Sequence, residues 1–140
     1  MENCYKNKGS YCLLMECGKQ QLINVGKLGK INFKKGFYLY AGSALGGIGK
    51  RISRHLGKRK RNFWHIDYFL SNPHVSIDFI YCIESSKKIE CDIAKRVNNI
   101  GIPVRGFGSS DCKCESHLFF INTVENKFWE KLNSYSAILI

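Results

Sequence analysis

The chain has 140 residues, a length typical of one domain with a single hydrophobic core. Apolar residues make up 44% and there are only two prolines, which excludes a largely disordered protein. Twenty-two Lys and Arg face eleven Asp and Glu, so the net charge is +11. This excess favours a polyanionic partner such as nucleic acid; the alternative is a charge that only keeps the protein soluble.

The sequence predicts a cytoplasmic protein with no membrane partner. No apolar run reaches the roughly 20 residues of a membrane-spanning helix, and the polar residues 1–10 lack the apolar segment of a secretory signal. The seven cysteines are an odd number, which favours reduced thiols over a disulfide framework. Four of them occur singly and are predicted to be small buried side chains: Cys4, Cys12, Cys17 and Cys82.

The first third of the chain predicts strands. Residues 10–17 form a short apolar run that ends at Gly18. Residues 21–25 follow within hairpin range, so we expect them to pair antiparallel with the first strand. After residues 31–33, the aromatic and aliphatic run 37–41 suits a central strand covered on both faces.

The middle of the chain predicts two helices. Small residues at 42–47 indicate a sharp turn that could approach a ligand closely. Residues 48–56 carry apolar side chains at helical spacing, and residues 63–70 predict a second, largely buried helix. The basic loop 58–61 connects them.

The last part predicts two more strands, at 75–83 and 117–121, separated by a helix and a Gly-, Ser- and Cys-rich loop at 105–116. Ser85 or Ser86 would cap that helix. Its apolar stripe consists of Ile89, Ile93, Val97 and Ile100. A final helix is expected from Thr123 to Asn133. These elements predict one α/β (α+β) domain over residues 1–140, with the motifs within 9–121 and a C-terminal helix or tail at 122–140.

Two strand tyrosines and one cationic helix form the candidate site. Tyr11 and Tyr40 each lie close to a glycine. Arg51 and His55 are four positions apart, which places them on one face of the helix 48–56. Together these groups suit an anion. Glu90 adds the carboxylate that a metal ion would require.

At these residues the sequence resembles the GIY-YIG nuclease family. Gly9-Ser10-Tyr11 occupies the place of GIY and Tyr40-Ala41-Gly42 that of YIG; the helix and Glu90 follow in order. More narrowly, the chain resembles an uncharacterised, mostly archaeal branch, some of whose members are fused to an endonuclease III-like repair glycosylase. The blocks that carry this likeness are residues 36–44, 64–68, 90–91 and 106–118.

The resemblance implies a central antiparallel sheet of about three strands, with an extra hairpin over residues 21–33 and flanking helices. It implies a metal-dependent endonuclease that cuts DNA rather than RNA, in repair or recombination, with a repair protein as a possible partner. Tyr11 or Tyr40 would activate water. From its chemistry, His55 is either a general acid-base helper or a hydrogen-bond donor to the phosphate. Arg51 would stabilise charge on the phosphate, and Glu90 would hold Mg²⁺ or Mn²⁺.

The chain departs from the family pattern at several positions. Ser10 and Ala41 replace the two isoleucines, and the tyrosines are 29 positions apart because of the extra hairpin. Ser43 stands where repair nucleases of the family often carry a lysine. A module that binds DNA or RNA without cutting therefore stays open as an alternative. Candidate nucleic-acid contacts are Ser43, Lys50, Arg54, Lys58, Arg59, Lys60 and Arg61.

A second group of residues has the chemistry of a zinc site. Cys112, Cys114 and His117 supply suitable ligand types, although structural zinc sites generally space their cysteines more widely. Cys91 is the candidate for a fourth ligand. One alternative is that the thiols and Asp111 order the loop without metal. Another is that Asp111 and Ser110 contact the substrate or the metal on Glu90. If zinc does bind, the chain could be a zinc-stabilised interaction domain. His65 and Asp67 are predicted to anchor their helix in the core.

Overall fold

The computed structural model describes residues 8–57, 61–84, 89–121 and 136–139. The strands are β1 (Gly9–Cys17), β2 (Gln21–Asn24), β3 (Lys30–Phe33), β4 (Gly36–Ala44), β5 (Val75–Glu84), β6 (Ile102–Pro103), β7 (Leu118–Ile121) and β8 (Ser136–Leu139). The helices are α1 (Ile48–Leu56), α2 (His65–Leu70) and α3 (Glu90–Asn98). The α+β class is confirmed. Across these described ranges, no helix has the length and apolar character needed to cross a membrane.

β1 is an inner strand of the main sheet, whose order is β6-β7-β4-β1-β5-β8. It pairs antiparallel with β4 on one side and β5 on the other. The sheet thus has six strands where the sequence predicted about three. The additional strands are short or lie outside the recognised motifs: β6 has two residues, and β8 lies in the segment expected to be a C-terminal helix or tail.

The alternation of side chains along β1 creates two core layers. Tyr11, Leu13 and Met15 belong to one layer, together with residues of α1 and α2. Cys12 and Leu14 belong to the other, which includes the buried face of α3. Because successive strand side chains point to opposite faces, this one strand contributes to both layers. The same alternation places Tyr11 on the face covered by α1.

The predicted hairpin over residues 21–33 is present, but its pairing differs from the prediction. β2 pairs with β3 in a separate two-stranded sheet. The expected pairing of residues 21–25 with β1 is wrong because β4 and β5 already occupy both edges of β1. The hairpin packs Ile23, Val25 and Phe33 into the core layer of α1 and α2.

Some predicted boundaries also change. β4 continues through Ala44, so the first half of the predicted turn is strand. Ile100 does not belong to the apolar stripe of α3: the helix ends at Asn98 and this side chain is 41% exposed. The predicted caps at Ser85 or Ser86 and the helix 123–133 lie outside the described residues.

Candidate active site and thiol cluster

One end of the main sheet, where β1 begins and β4 ends, borders an open cavity of about 630 Å³. α1, the start of α3 and the loop 105–116 form its other walls. The five predicted catalytic side chains and the predicted contact Ser43 all line it: Tyr11, Tyr40, Ser43, Arg51, His55 and Glu90. We call this cavity the tyrosine cleft. Their convergence is an observed geometry; their catalytic roles stay predictions.

Steric crowding explains why glycine occupies positions 9 and 42, beside the two tyrosines. Gly42 lies directly opposite Tyr11 in the β1–β4 register. A Cβ atom at Gly42 would lie 2.4 Å from the Tyr11 ring, and one at Gly9 would lie 2.1 Å from the carbonyl oxygen of Ile83. Both distances are shorter than van der Waals contact allows, so glycine is required whether or not the site is catalytic.

Tyr11 and His55 form a hydrogen-bonded pair inside the cleft. Oη of Tyr11 lies 2.6 Å from Nε2 of His55, and the two side chains are buried. The Tyr40 ring lies close to both, with centroids 6.4 Å from each. A short bond between a phenol and an imidazole provides a route for one proton between the two side chains.

Burial controls the acidity of both tyrosines. It raises the pKa of Tyr11 well above its ordinary value, Tyr40 raises it further, and Arg51 lowers it only in part. The pKa of Tyr40 is also raised, again mainly by burial. The cost of desolvating the phenolate therefore exceeds the attraction of Arg51.

Arg51 is held at the cleft by two contacts. Its guanidinium lies 4.1 Å from the centroid of the Trp64 ring, a cation–π geometry. It also interacts electrostatically with the Tyr11 side chain, whose pKa it lowers in part. A guanidinium fixed beside a polar cavity can bind a phosphate through several N–H groups.

Arg54, in contrast, is engaged away from the cleft. Its Nη2 donates to Oδ2 of Asp67 at 2.7 Å and to the carbonyl oxygen of Arg61 at 3.0 Å. Asp67 is fully buried, and Oδ2 also accepts the backbone N–H groups of Phe63 and Trp64 at 2.9 Å. The predicted anchoring role of Asp67 is confirmed, and it explains why α2 begins at His65 instead of Phe63. Arg54 thus connects α1 to α2.

The other predicted nucleic-acid contacts are only partly described. Lys50 and Arg61 are exposed, the former on α1 and the latter before α2. Residues 58–60, with Lys58, Arg59 and Lys60, lie outside the described residues.

Glu90 enters the cleft from the first turn of α3. Its Oε2 is buried and has no hydrogen-bond partner within the described part of the chain. A buried carboxylate oxygen without a donor fits a cation that prefers oxygen ligands, such as Mg²⁺. Asp111 also lines the cleft from the loop.

Phe63, His65 and Gly108 line the cleft although none of them was predicted as a site residue. Phe63 was expected inside a buried helix but is 75% exposed at the cleft. His65 accepts the backbone N–H of Gly108 at 2.8 Å through Nδ1, which ties α2 to the loop 105–116. Gly108 has φ of 72° and packs against Tyr40. The sequence signals for this wall were the glycine-rich composition of the loop and the motif block at residues 106–118.

A compact cluster of sulfur and nitrogen ligands adjoins the cleft. Potential ligand atoms of Cys91, Cys112, Cys114 and His117 all lie within 4.8 Å of one another. We call this group the thiol cluster; its donor set could bind a metal such as zinc. Burial raises the pKa of Cys91 to about 12, and the two other thiols add to the shift. Burial lowers the pKa of His117, which favours its neutral form.

The remaining described cysteines behave as predicted. Cys12, Cys17 and Cys82 are buried free thiols within the sheet. They are separate from the thiol cluster, and Cys4 lies outside the described residues.

Comparison with known proteins identifies the family of the chain but indicates no activity. No curated protein matches the chain significantly. No solved structure does so either. One family model matches residues 10–138, which is nearly the whole chain and includes both the tyrosine cleft and the thiol cluster. The chain therefore belongs to the family described as domain of unknown function DUF123.

Proposed function

We propose that this chain is a metal-dependent endonuclease that hydrolyses phosphodiester bonds in DNA. The observation that carries the proposal is the convergence of Tyr11, Tyr40, Arg51, His55 and Glu90 on one open cleft. These residues come from two strands and two helices, and they combine a proton route, a fixed cation and a carboxylate. Phosphodiester hydrolysis requires an activated water, stabilisation of charge on the phosphate and help for the departing oxyanion. A metal ion held by Glu90 would supply the last of these.

Arg51 is the group that would hold the scissile phosphate. Its contact with Trp64 fixes the guanidinium, so little conformational entropy is lost when a phosphate binds. The net charge of +11 would draw a polyanionic backbone towards the protein. Lys50 and Arg61 are exposed and available for further backbone contacts.

The Tyr11–His55 pair would activate the attacking water. Because burial raises the pKa of Tyr11, the side chain remains a phenol at neutral pH and is a poor base alone. With Nε2 of His55 unprotonated, the phenol donates its proton to Nε2 as it accepts one from the water. The water becomes the nucleophile, the tyrosine ends neutral, and the imidazole carries the proton.

Glu90 would hold a divalent cation, with its buried Oε2 as the fitting observation. When bound, Mg²⁺ or Mn²⁺ supplies positive charge that stabilises the departing oxyanion. Magnesium is commonly held by one or two carboxylates and completes its shell with water and substrate phosphates, so one glutamate is a sufficient protein contribution.

A second candidate is a module that binds DNA or RNA without cutting. The observation that favours it is the raised pKa of both cleft tyrosines, which leaves no ready phenolate. Ser43, in the place of the family's lysine, points in the same direction. In that case, the basic segment 58–61 would be essential for binding, and Tyr11→Phe would change nothing measurable.

The deciding experiment incubates the protein with supercoiled plasmid, a four-way junction and structured RNA, with and without Mg²⁺ or Mn²⁺. We expect metal-stimulated nicking of DNA. Arg51→Ala should lower the cleavage rate by about 10²- to 10³-fold, the usual cost of removing one transition-state donor. Arg105→Ala is the matched control, because that side chain is 85% exposed and pairs only loosely with Glu115 at 3.5 Å.

Binding of the DNA without cleavage under either metal would replace the nuclease proposal with the binding module. Preferential cutting of the junction would support a repair or recombination substrate, and cutting of RNA alone would contradict the choice of DNA.

A further inference from the structure

We propose that Cys91, Cys112, Cys114 and His117 bind one Zn²⁺ ion as a closed structural site, and that the ion fastens the loop 105–116 to α3. The inference does not depend on nuclease activity. It rests on the spacing of the ligand atoms, on the bonding capacity of the histidine nitrogen, and on where the four residues lie in the fold.

The distances in the thiol cluster match a tetrahedral site. With Zn–S bonds of about 2.3 Å and a Zn–N bond of about 2.0–2.1 Å, a sulfur and a nitrogen ligand lie about 3.6 Å apart. Nε2 of His117 lies 3.4 Å from Sγ of Cys112 and 3.7 Å from Sγ of Cys91. All four ligand atoms fall within 4.8 Å of one another. Little movement is needed for them to share one ion.

Hydrogen bonding alone does not account for this arrangement. Nε2 of a neutral imidazole either accepts one hydrogen bond or donates one, since it carries one lone pair or one proton. Here the same nitrogen faces the sulfur atoms of Cys91 and Cys112 at once. A thiol–imidazole bond satisfies one of these contacts. A metal ion in the centre satisfies both.

Three of the four ligands lie close together in the sequence, and the fold adds the fourth, Cys91, from the first turn of α3. Cys112 and Cys114 lie in the loop, and His117 directly precedes β7. Four protein ligands leave no open position, which is typical of structural zinc.

The site also adjoins the tyrosine cleft. Glu90 and Asp111, which line the cleft, directly precede the ligands Cys91 and Cys112. His117 is both a ligand and a part of the cleft wall. Zinc would therefore hold the wall that contains Asp111 against the start of α3.

The first test measures metal in the full-length protein, purified under reducing conditions without a metal-affinity step. Elemental analysis should give one zinc ion per chain. Replacing zinc by Co²⁺ should give the d–d and sulfur-to-cobalt charge-transfer bands of a tetrahedral thiolate site. Cys112→Ser combined with Cys114→Ser should lose the metal, while Cys82→Ala, which removes a buried thiol outside the cluster, should keep it.

A second measurement uses the unaltered protein, so a folding defect in a variant cannot obscure the result. Titration with a mercurial reagent should release one zinc ion as three thiols react. Hydrogen exchange of the amides in residues 105–117 should then become faster than in the zinc-loaded protein. Absence of zinc together with absence of cobalt bands, retention of zinc in the double variant, or a disulfide among these cysteines would each overturn the proposal.

Discussion

The tyrosine cleft and the thiol cluster are neighbours that share His117, yet they offer opposite ligand chemistry. The cleft presents two carboxylates, two phenols and a guanidinium around an open cavity. The cluster presents three sulfur atoms and one imidazole within a few ångströms. Oxygen ligands suit Mg²⁺ or Mn²⁺, whereas thiolate and imidazole suit Zn²⁺. Under the two proposals above, each region would therefore select a different metal ion.

The two regions are also stabilised differently. Tyr11, Tyr40 and His55 are fixed by the packing of β1, β4 and α1, and their rings belong to or contact the hydrophobic core. The cysteines of the cluster are half-buried, and two of them lie in an irregular loop. The cleft should therefore keep its shape without a ligand, while the shape of the cluster should depend on the zinc ion proposed above.

The largest expected effect concerns Glu90, which directly precedes the proposed zinc ligand Cys91 but is proposed to hold a different metal ion. Glu90→Gln should reduce divalent-dependent cleavage to background, because it removes the carboxylate charge that would hold the ion. Its zinc content should remain that of the unaltered protein, measured by elemental analysis. Asp92→Asn is the matched control, since this exposed carboxylate lies in the same helical turn. Loss of zinc in Glu90→Gln would show that the regions are one site.

A steric change should damage the cleft while sparing the cluster. In Gly42→Ala the new methyl group would meet the Tyr11 ring at 2.4 Å. We expect the free energy of unfolding to fall by about 1–3 kcal/mol, the usual cost of overpacking, and zinc to stay bound. Gly18→Ala is the control, because its nearest neighbour would be the carbonyl oxygen of His74 at 3.6 Å. Equal stability of the two variants in urea unfolding would contradict this account.

The exposed aromatic side chain of Phe63 allows a test of how the cleft contacts a nucleic acid. Phe63 is 75% exposed, so Phe63→Ala should change stability little. If an unpaired base stacks on this ring, Kd for a single-stranded oligonucleotide should rise about tenfold, within the usual range for one stacked base. Phe63→Trp, which keeps an aromatic ring at this position, should have the same Kd as the unaltered protein. The control is Leu22→Ala, which alters an exposed apolar residue of the hairpin and should leave Kd unchanged. If Kd is also unchanged in Phe63→Ala, base stacking on this ring is wrong.

The smallest expected effect is a pH dependence of stability. Because burial raises the pKa of Tyr11 above its unfolded value of about 10, the stabilisation it provides is complete below that pH and is lost as pH rises further. Between about pH 9 and pH 11 this loss amounts to about 1 kcal/mol. Urea unfolding of Tyr11→Phe should therefore show a shallower alkaline decline than the unaltered protein. If the free energy of unfolding declines equally with pH in both proteins, Tyr11 is accessible to solvent.

Much of the cleft could be anticipated from local pattern and resemblance. The apolar run of β1 and the helical spacing of Arg51 and His55 are both confirmed by the structure. What failed was long-range pairing. Nothing within residues 21–25 indicates that both edges of β1 are occupied by strands distant in sequence. The β8 strand, in the predicted tail, was missed for the same reason.

Side-chain environment was harder to predict than element type. Phe63 is apolar and was assigned to a buried helix, but Asp67 sets the start of α2 two residues later and leaves the ring exposed. The sign of the Tyr11 pKa shift also depends on burial, which no single stretch of sequence reveals. All four cluster ligands were identifiable as residue types. Only the fold shows that Cys91 lies beside the other three.

The β2–β3 hairpin has a consequence for the order of folding. It is inserted between Cys17 and Gly36, which face each other across β1 and β4. A hairpin closes locally within microseconds, whereas the pairing of β1 with β5 must join residues as distant as Gly9 and Glu84. Once formed, the hairpin shortens the effective loop between β1 and β4. We expect it to assemble early and so bring Tyr11 and Tyr40 onto adjacent strands before the rest of the sheet is complete.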